Sequence, residues 1–241
     1  REKRPGVRRL LFLGDSVTAR GKIVAALKAL YGEDGYEYWN AGVDAFNTVQ
    51  EVKYYLACNA PLRPDHVILT FHPNDFETTP LAYAEADGTL VVFAPNRPRQ
   101  EINAWLFGHS HLYRTWIGLT SQKDMEREGI VAETRASLAT LQQALARDRI
   151  RLTVLVFPIL RPQAAWRDKE RRSRETILRI LGELEIERLD LYPAVEAELQ
   201  AGRDLGETPE DSWHPNDEAA ARMARLCRDR GVLAESFKEK P

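Results

Sequence analysis

The stretch DSWHPNDEAA, residues 211–220, places Asp211 three residues before His214. One turn of loop brings such a carboxylate to one imidazole nitrogen and leaves the other nitrogen free to take a proton. A base held in this way needs a nucleophile. LFLGDSVT offers Ser16 at the point where an apolar run stops. Oxyanion charge also needs donors. Gly42 in WNAGVDAFNTVQE can bring a backbone N–H close to a ligand, and Asn74 in FHPND carries a side-chain amide. With the N–H of Ser16 these make three donors, and one such donor is typically worth about 3–4 kcal/mol in a transition state. Serine, imidazole, carboxylate and oxyanion donors together are the parts of nucleophilic acyl transfer.

Each part has an ordinary reading as well. Ser16 could be the N-cap of a helix. Gly14 and Gly42 could serve strand-to-helix turns, and Asn74 and Asp75 could be turn residues. What favours chemistry is their placement. Ser16 follows a first strand, Gly42 ends a second, Asn74 follows a third, and His214 precedes the last helix. In open parallel sheets, ligands bind beyond the carboxyl ends of the strands. Pro215 holds His214 extended, and Asn216 can cap the helix that Asp217 and Glu218 begin.

The elements that must position these groups are visible as apolar runs at 8–13, 36–42, 66–71, 151–157 and 187–192. Helical patterns lie at about 20–31, 47–59, 133–147, 168–185 and 216–230. Near-continuous apolar strands alternating with helices imply a parallel sheet covered on both faces, a three-layer α/β/α fold. One segment breaks the alternation. Residues 76–130 contain no βα unit but are rich in aromatics, among them Tyr83, Phe93, Trp105, Phe107, Tyr113 and Trp116. Within it Ile102, Trp105, Leu106, His109, Leu112, Tyr113 and Trp116 recur at helical spacing. They predict one amphipathic helix over 100–118 bearing on an edge of the sheet. ADGTLVVFAPNRP before it reads as a short hairpin or an extended lid. The domain organisation is therefore one domain over 1–241 with an insertion at 76–130, a candidate lid or substrate-binding subregion.

Composition narrows the class. The chain has 241 residues and a formal net charge of -2, which gives no electrostatic reason to expect nucleic acid. No apolar run reaches membrane-spanning length. Two cysteines, Cys58 and Cys227, permit one disulfide but no framework. Neither has a Cys or His at metal-ligand spacing. His109 and His111 form an H-x-H, but residues two apart on a helix face different ways, so no metal is expected. GDSVTAR lacks the glycine-rich phosphate loop of a nucleotide-binding domain, and no organic cofactor is expected.

Four blocks, LFLGDSVT, WNAGVDAFNTVQE, FHPND and DSWHPN, resemble those of the SGNH hydrolase superfamily, the GDSL-type esterases. The resemblance spans about Val7 to Leu226, with no motif in 76–130. It implies a flavodoxin-like fold with a five-stranded parallel sheet in the order 2-1-3-4-5. It also implies hydrolysis of esters, thioesters or carbohydrate O-acetyl groups without a metal or organic cofactor. Carried over residue by residue, it makes Ser16 the nucleophile, His214 the base and Asp211 its orienting carboxylate. Ser16, Gly42 and Asn74 form the oxyanion hole, Asp15 is a structural acid, and His72, Asp75, His109 and Trp213 are candidate substrate contacts. Val17 stands where the first block has Leu. His72 stands where the third has Gly, adding a side chain that either narrows the acyl pocket or points away. PGVRRLLFLGDS with NTVQE is similar to bacterial members tethered by an N-terminal membrane helix, which implies an extracytoplasmic substrate and an anchor outside this sequence.

The leading expectation is an esterase acting on a small ester or an O-acylated glycan. Two alternatives use the same fold: a binding module whose insertion closes the site, and an acyltransferase passing the acyl group to an alcohol. Neither the oligomeric state nor the substrate is set by the sequence.

Overall fold

The computed structural model describes residues 2–77, 81–84, 90–93, 102–120 and 129–233. In chain order the first elements are β1 (Arg8–Leu13), α1 (Ser16–Ala19), α2 (Lys22–Tyr31), β2 (Tyr36–Asn40), α3 (Thr48–Tyr54) and β3 (His66–Phe71). Next come β4 (Leu81–Ala84), β5 (Leu90–Phe93), α4 (Ala104–His109), α5 (His111–Thr120) and α6 (Ile130–Arg147). The last are β6 (Arg151–Val156), α7 (Asp168–Glu183), β7 (Glu187–Asp190), α8 (Glu196–Gln200) and α9 (Asp217–Asp229). The chain divides into two compact units, residues 1–75 with 135–241, and residues 76–134.

The first unit is built on a parallel sheet in the order β2-β1-β3-β6-β7. Numbered within that sheet alone, this is 2-1-3-4-5. Its central strands β1 and β3 are buried from Arg9 to Leu13 and from His66 to Phe71, as their apolar runs Leu10–Leu13 and Val67–Leu69 require. Leu10, Phe12, Ile68 and Leu155 share a core with Ile23 and Leu27 of α2 and with Ala219, Met223 and Cys227 of α9. The alternate strand residues Leu11, Leu13, Val67, Leu69, Val154 and Val156 are equally buried, so both faces are covered. The result is a three-layer α/β/α sandwich. Cys58 and Cys227 are both free thiols.

The second unit departs from expectation. β4 and β5 pair antiparallel; of ADGTLVVFAPNRP, only Leu90–Phe93 falls among the described residues. The single helix expected over 100–118 is two helices divided at Ser110, whose backbone is extended. The break has local causes. The Ser110 hydroxyl accepts the Tyr113 N–H at 3.2 Å, starting α5. The Arg114 guanidinium donates to the Phe107 carbonyl at 2.8 Å and the Gly108 carbonyl at 3.3 Å, closing α4. The break also shifts the helical phase. Phe107 and Ile117 become the buried residues, while Trp105 is 67% and Leu112 84% exposed.

Candidate functional site

The turn after β1 removes the helix-cap reading of Ser16. Asp15, not Ser16, caps α1, and its Oδ1 accepts the Val17 N–H at 2.9 Å. The Ser16 hydroxyl instead lies 2.8 Å from His214 Nε2. His214 Nδ1 lies 2.8 Å from Asp211 Oδ2. Asp211 is an acceptor only, so Nδ1 carries the imidazole hydrogen and Nε2 accepts from the Ser16 hydroxyl. Burial pushes the Asp211 carboxyl up, but the N–H groups of Trp213 and His214 and the imidazole outweigh it, and the net shift is down. Asp211 is thus held ionised beneath the ring.

The loop carrying this pair is closed by backbone. Glu207 N–H donates to the His214 carbonyl at 2.9 Å, Asp211 N–H to Thr208 at 3.0 Å, and Leu160 N–H to Ser212 at 2.7 Å. Asp211 Oδ1 accepts from the N–H groups of Trp213 at 2.9 Å and His214 at 3.0 Å, so one carboxylate fixes both backbone and ring. Gly206 permits the closure, because a Cβ there would lie 1.8 Å from the Asp211 carbonyl oxygen. Asn216 caps α9 through the Ala219 N–H at 2.9 Å.

The turn after β3 brings Asn74 to the same place. Its Nδ2 donates to Asp15 Oδ2 at 3.0 Å. A primary amide has two N–H donors, and this bond uses one. Oδ1 faces His72 Nδ1 at 2.6 Å. Asp75 braces the turn from below, accepting the Thr48 hydroxyl at 2.9 Å. Glu51, on α3 with Thr48, is buried, and neither of its oxygens has a hydrogen-bond partner among the described residues. Burial, with Asp75 and Asp15 nearby, raises its carboxyl well above the ordinary range.

Gly42 sits where the loop after β2 crosses α1. A Cβ there would lie 2.4 Å from the Ala19 nitrogen, so only glycine fits. Its N–H is not open, as the sequence suggested, but donates to Asn40 Oδ1 at 2.9 Å. Asn40 in turn donates through Nδ2 to the Thr18 carbonyl at 2.7 Å. The structure thus brings Ser16, Asp211, His214, Asn74 and Gly42 to the ends of β1, β2 and β3 and the loop before α9.

Two of the expected substrate contacts are corrected. His72 and Asp75 have no exposed surface, so neither presents a side chain to a ligand. The His72 ring packs at 6.3 Å from Phe157 and 5.3 Å from Trp213. Trp213 is half-buried against that ring. His109 belongs to the second unit, where it stacks on Trp105 at 5.0 Å. Sequence reasoning missed Asn40, Thr48, Glu51 and Gly206. A Glu three residues after a Thr within a short amphipathic helix was the available signal for Glu51.

No family model and no curated protein matches the sequence. Solved structures do match. A catalytic mutant of Axe2, an acetylxylan esterase from Geobacillus stearothermophilus, aligns with a TM-score of 0.59 at 15% identity, covering 93% of this chain and 94% of that one. The chain has its fold. The acetyl xylan esterase AlAXEase aligns at 0.57 and 16% identity, over 92% of this chain and 98% of that one. LAE5, an alpha/beta hydrolase enzyme from the metagenome of Lake Arreo, Spain, aligns at 0.62 and 16%, over 95% and 97%. The fold implied by the four sequence blocks is therefore present across nearly the whole chain.

Proposed function

We propose that the chain is a serine esterase of the SGNH type that removes a small acyl group, foremost an acetyl group on a carbohydrate, through an acyl-enzyme at Ser16. The observation that carries this reading is the unbroken relay from Ser16 Oγ to His214 Nε2 and from His214 Nδ1 to Asp211 Oδ2, 2.8 Å at each step. The glycan acetyl ester is supported by the fold shared with two acetylxylan esterases, Axe2 and AlAXEase.

In this mechanism Ser16 Oγ attacks the acyl carbon while its proton passes to His214 Nε2. The imidazolium that forms is stabilised by Asp211, which stays ionised. The carbonyl oxygen becomes an oxyanion and accepts from the second Nδ2–H of Asn74 and the Ser16 N–H. Gly42 adds its N–H by exchanging Asn40 Oδ1 for the oxyanion. Collapse breaks the ester bond, and His214 returns the proton to the leaving alcohol. Water then attacks acyl-Ser16 with His214 again as base, releasing the acid and restoring the hydroxyl.

Ser16→Ala should lower hydrolysis of acetylated xylo-oligosaccharides and of a short-chain aryl acetate by about 10⁵-fold or more, with the fold intact by circular dichroism. Turnover equal to that of the unaltered chain would overturn the reading.

A further inference from the structure

We propose that His72 is a positioning residue for the oxyanion amide: its Nδ1–H grips Asn74 Oδ1, so that Asp15 takes one Nδ2 hydrogen and the other stays free for the acyl oxygen. This role rests on the esterase reading of the site. Asp15 accepts Asn74 Nδ2 at 3.0 Å through one oxygen and the Val17 N–H at 2.9 Å through the other. The amide nitrogen therefore faces the carboxylate, and Oδ1 is left facing His72 Nδ1 at 2.6 Å. An amide oxygen only accepts, so Nδ1 must carry the hydrogen. The amide is clamped at both ends. Neither flip nor rotation is open to it without breaking a bond to a buried group.

The clamp is rigid because the ring has nowhere to go. His72 has no exposed surface and lies between Phe157 and Trp213. Its Nε2 is buried with no hydrogen-bond partner among the described residues, so packing and the Nδ1 bond alone set its orientation. Burial, the largest influence, outweighs the pull of Asp15, Asn74 and Glu170 and holds the ring's pKa below the ordinary imidazole value. Trp213 adds a second link, since its N–H is held by Asp211 Oδ1 at 2.9 Å. The His72 ring thus touches the oxyanion turn on one side and the loop of the base on the other. A glycine at this position, as the third block of the family has, could do neither.

The test combines a spectroscopic readout with kinetics on the whole chain. In ¹⁵N-labelled protein, His72 should be the neutral Nδ1–H tautomer, and an Nε2–H tautomer would overturn the proposal. For turnover of an aryl acetate, His72→Leu retains apolar bulk without a donor, and His72→Asn places an amide nitrogen near the position of Nδ1. Leu should lower kcat about tenfold or more with KM within about twofold, and Asn should recover most of the loss. Packing alone predicts the reverse order, with Leu near the unaltered rate and Asn below it, and that order would also overturn the proposal. Should His72→Leu fail to fold, the tautomer decides. Should the unaltered chain hydrolyse no ester, the esterase reading fails, and the tautomer still decides whether His72 grips Asn74.

Discussion

On one side of the site, His214 is held by its own loop: Asp211 is three residues away, and backbone bonds from Glu207 and Leu160 close the loop around both. On the side of Asn74, the amide is held by side chains, Asp15 from the turn after β1 and His72 from the end of β3. The first arrangement is local in sequence and spends backbone amides. The second is assembled across the sheet from buried polar groups, each of which loses a partner if its neighbour changes. Local order tolerates a missing group better than a buried network does, because an unpaired buried group bears the full cost of desolvation.

Asp211→Asn strains the local side first. It keeps the shape of the loop but favours the wrong imidazole tautomer, so kcat should fall by about 10⁴-fold while folding persists. Steady-state kinetics with an aryl acetate would check this, and a fall of less than tenfold would mean that the ring needs no carboxylate.

Asn74→Ala opens the networked side. It removes the donor proposed for the oxyanion and should lower kcat by about 10²–10³-fold with KM little changed. It also strips Asp15 Oδ2 and His72 Nδ1 of their partner. The thermal midpoint should therefore drop further than for Asp211→Asn, a contrast that calorimetry would measure directly.

Glu51→Gln has the smallest effect and the most specific sign. The folded-state pKa of Glu51 is raised, whereas in the unfolded chain the acid ionises near its ordinary value of about 4.3. Its contribution to stability is thus complete below the unfolded value and is lost as pH rises toward the folded one. Glutamine cannot ionise, so it should raise the thermal midpoint by about 2–4 °C at pH 8 and by less at pH 5. A lower midpoint at pH 8 would contradict a raised folded-state pKa.

The contrast between the two sides also explains what could be read from the sequence. Asp211, His214 and the cap Asn216 lie within six residues, and local spacing is enough to pair them. The central strands announce themselves because strands buried on both faces carry apolar runs, as in β1, β3 and β6. His72 was visible only as an added side chain with no direction, since the rings it packs against, Phe157 and Trp213, come from just after β6 and from the loop before α9. Gly42 was readable as a close approach, but its bond to Asn40 depends on how the loop folds back on α1. In the second unit the seven-residue stripe suggested one helix, because periodicity does not register a hydroxyl such as that of Ser110 competing for a backbone N–H.

The most direct test is to treat the unaltered chain with a serine-reactive phosphonate and locate the adduct by peptide mass spectrometry. The relay predicts a single phosphonyl group on Ser16, absent in His214→Ala. Full esterase activity in a chain that stays unlabelled at Ser16 would contradict it.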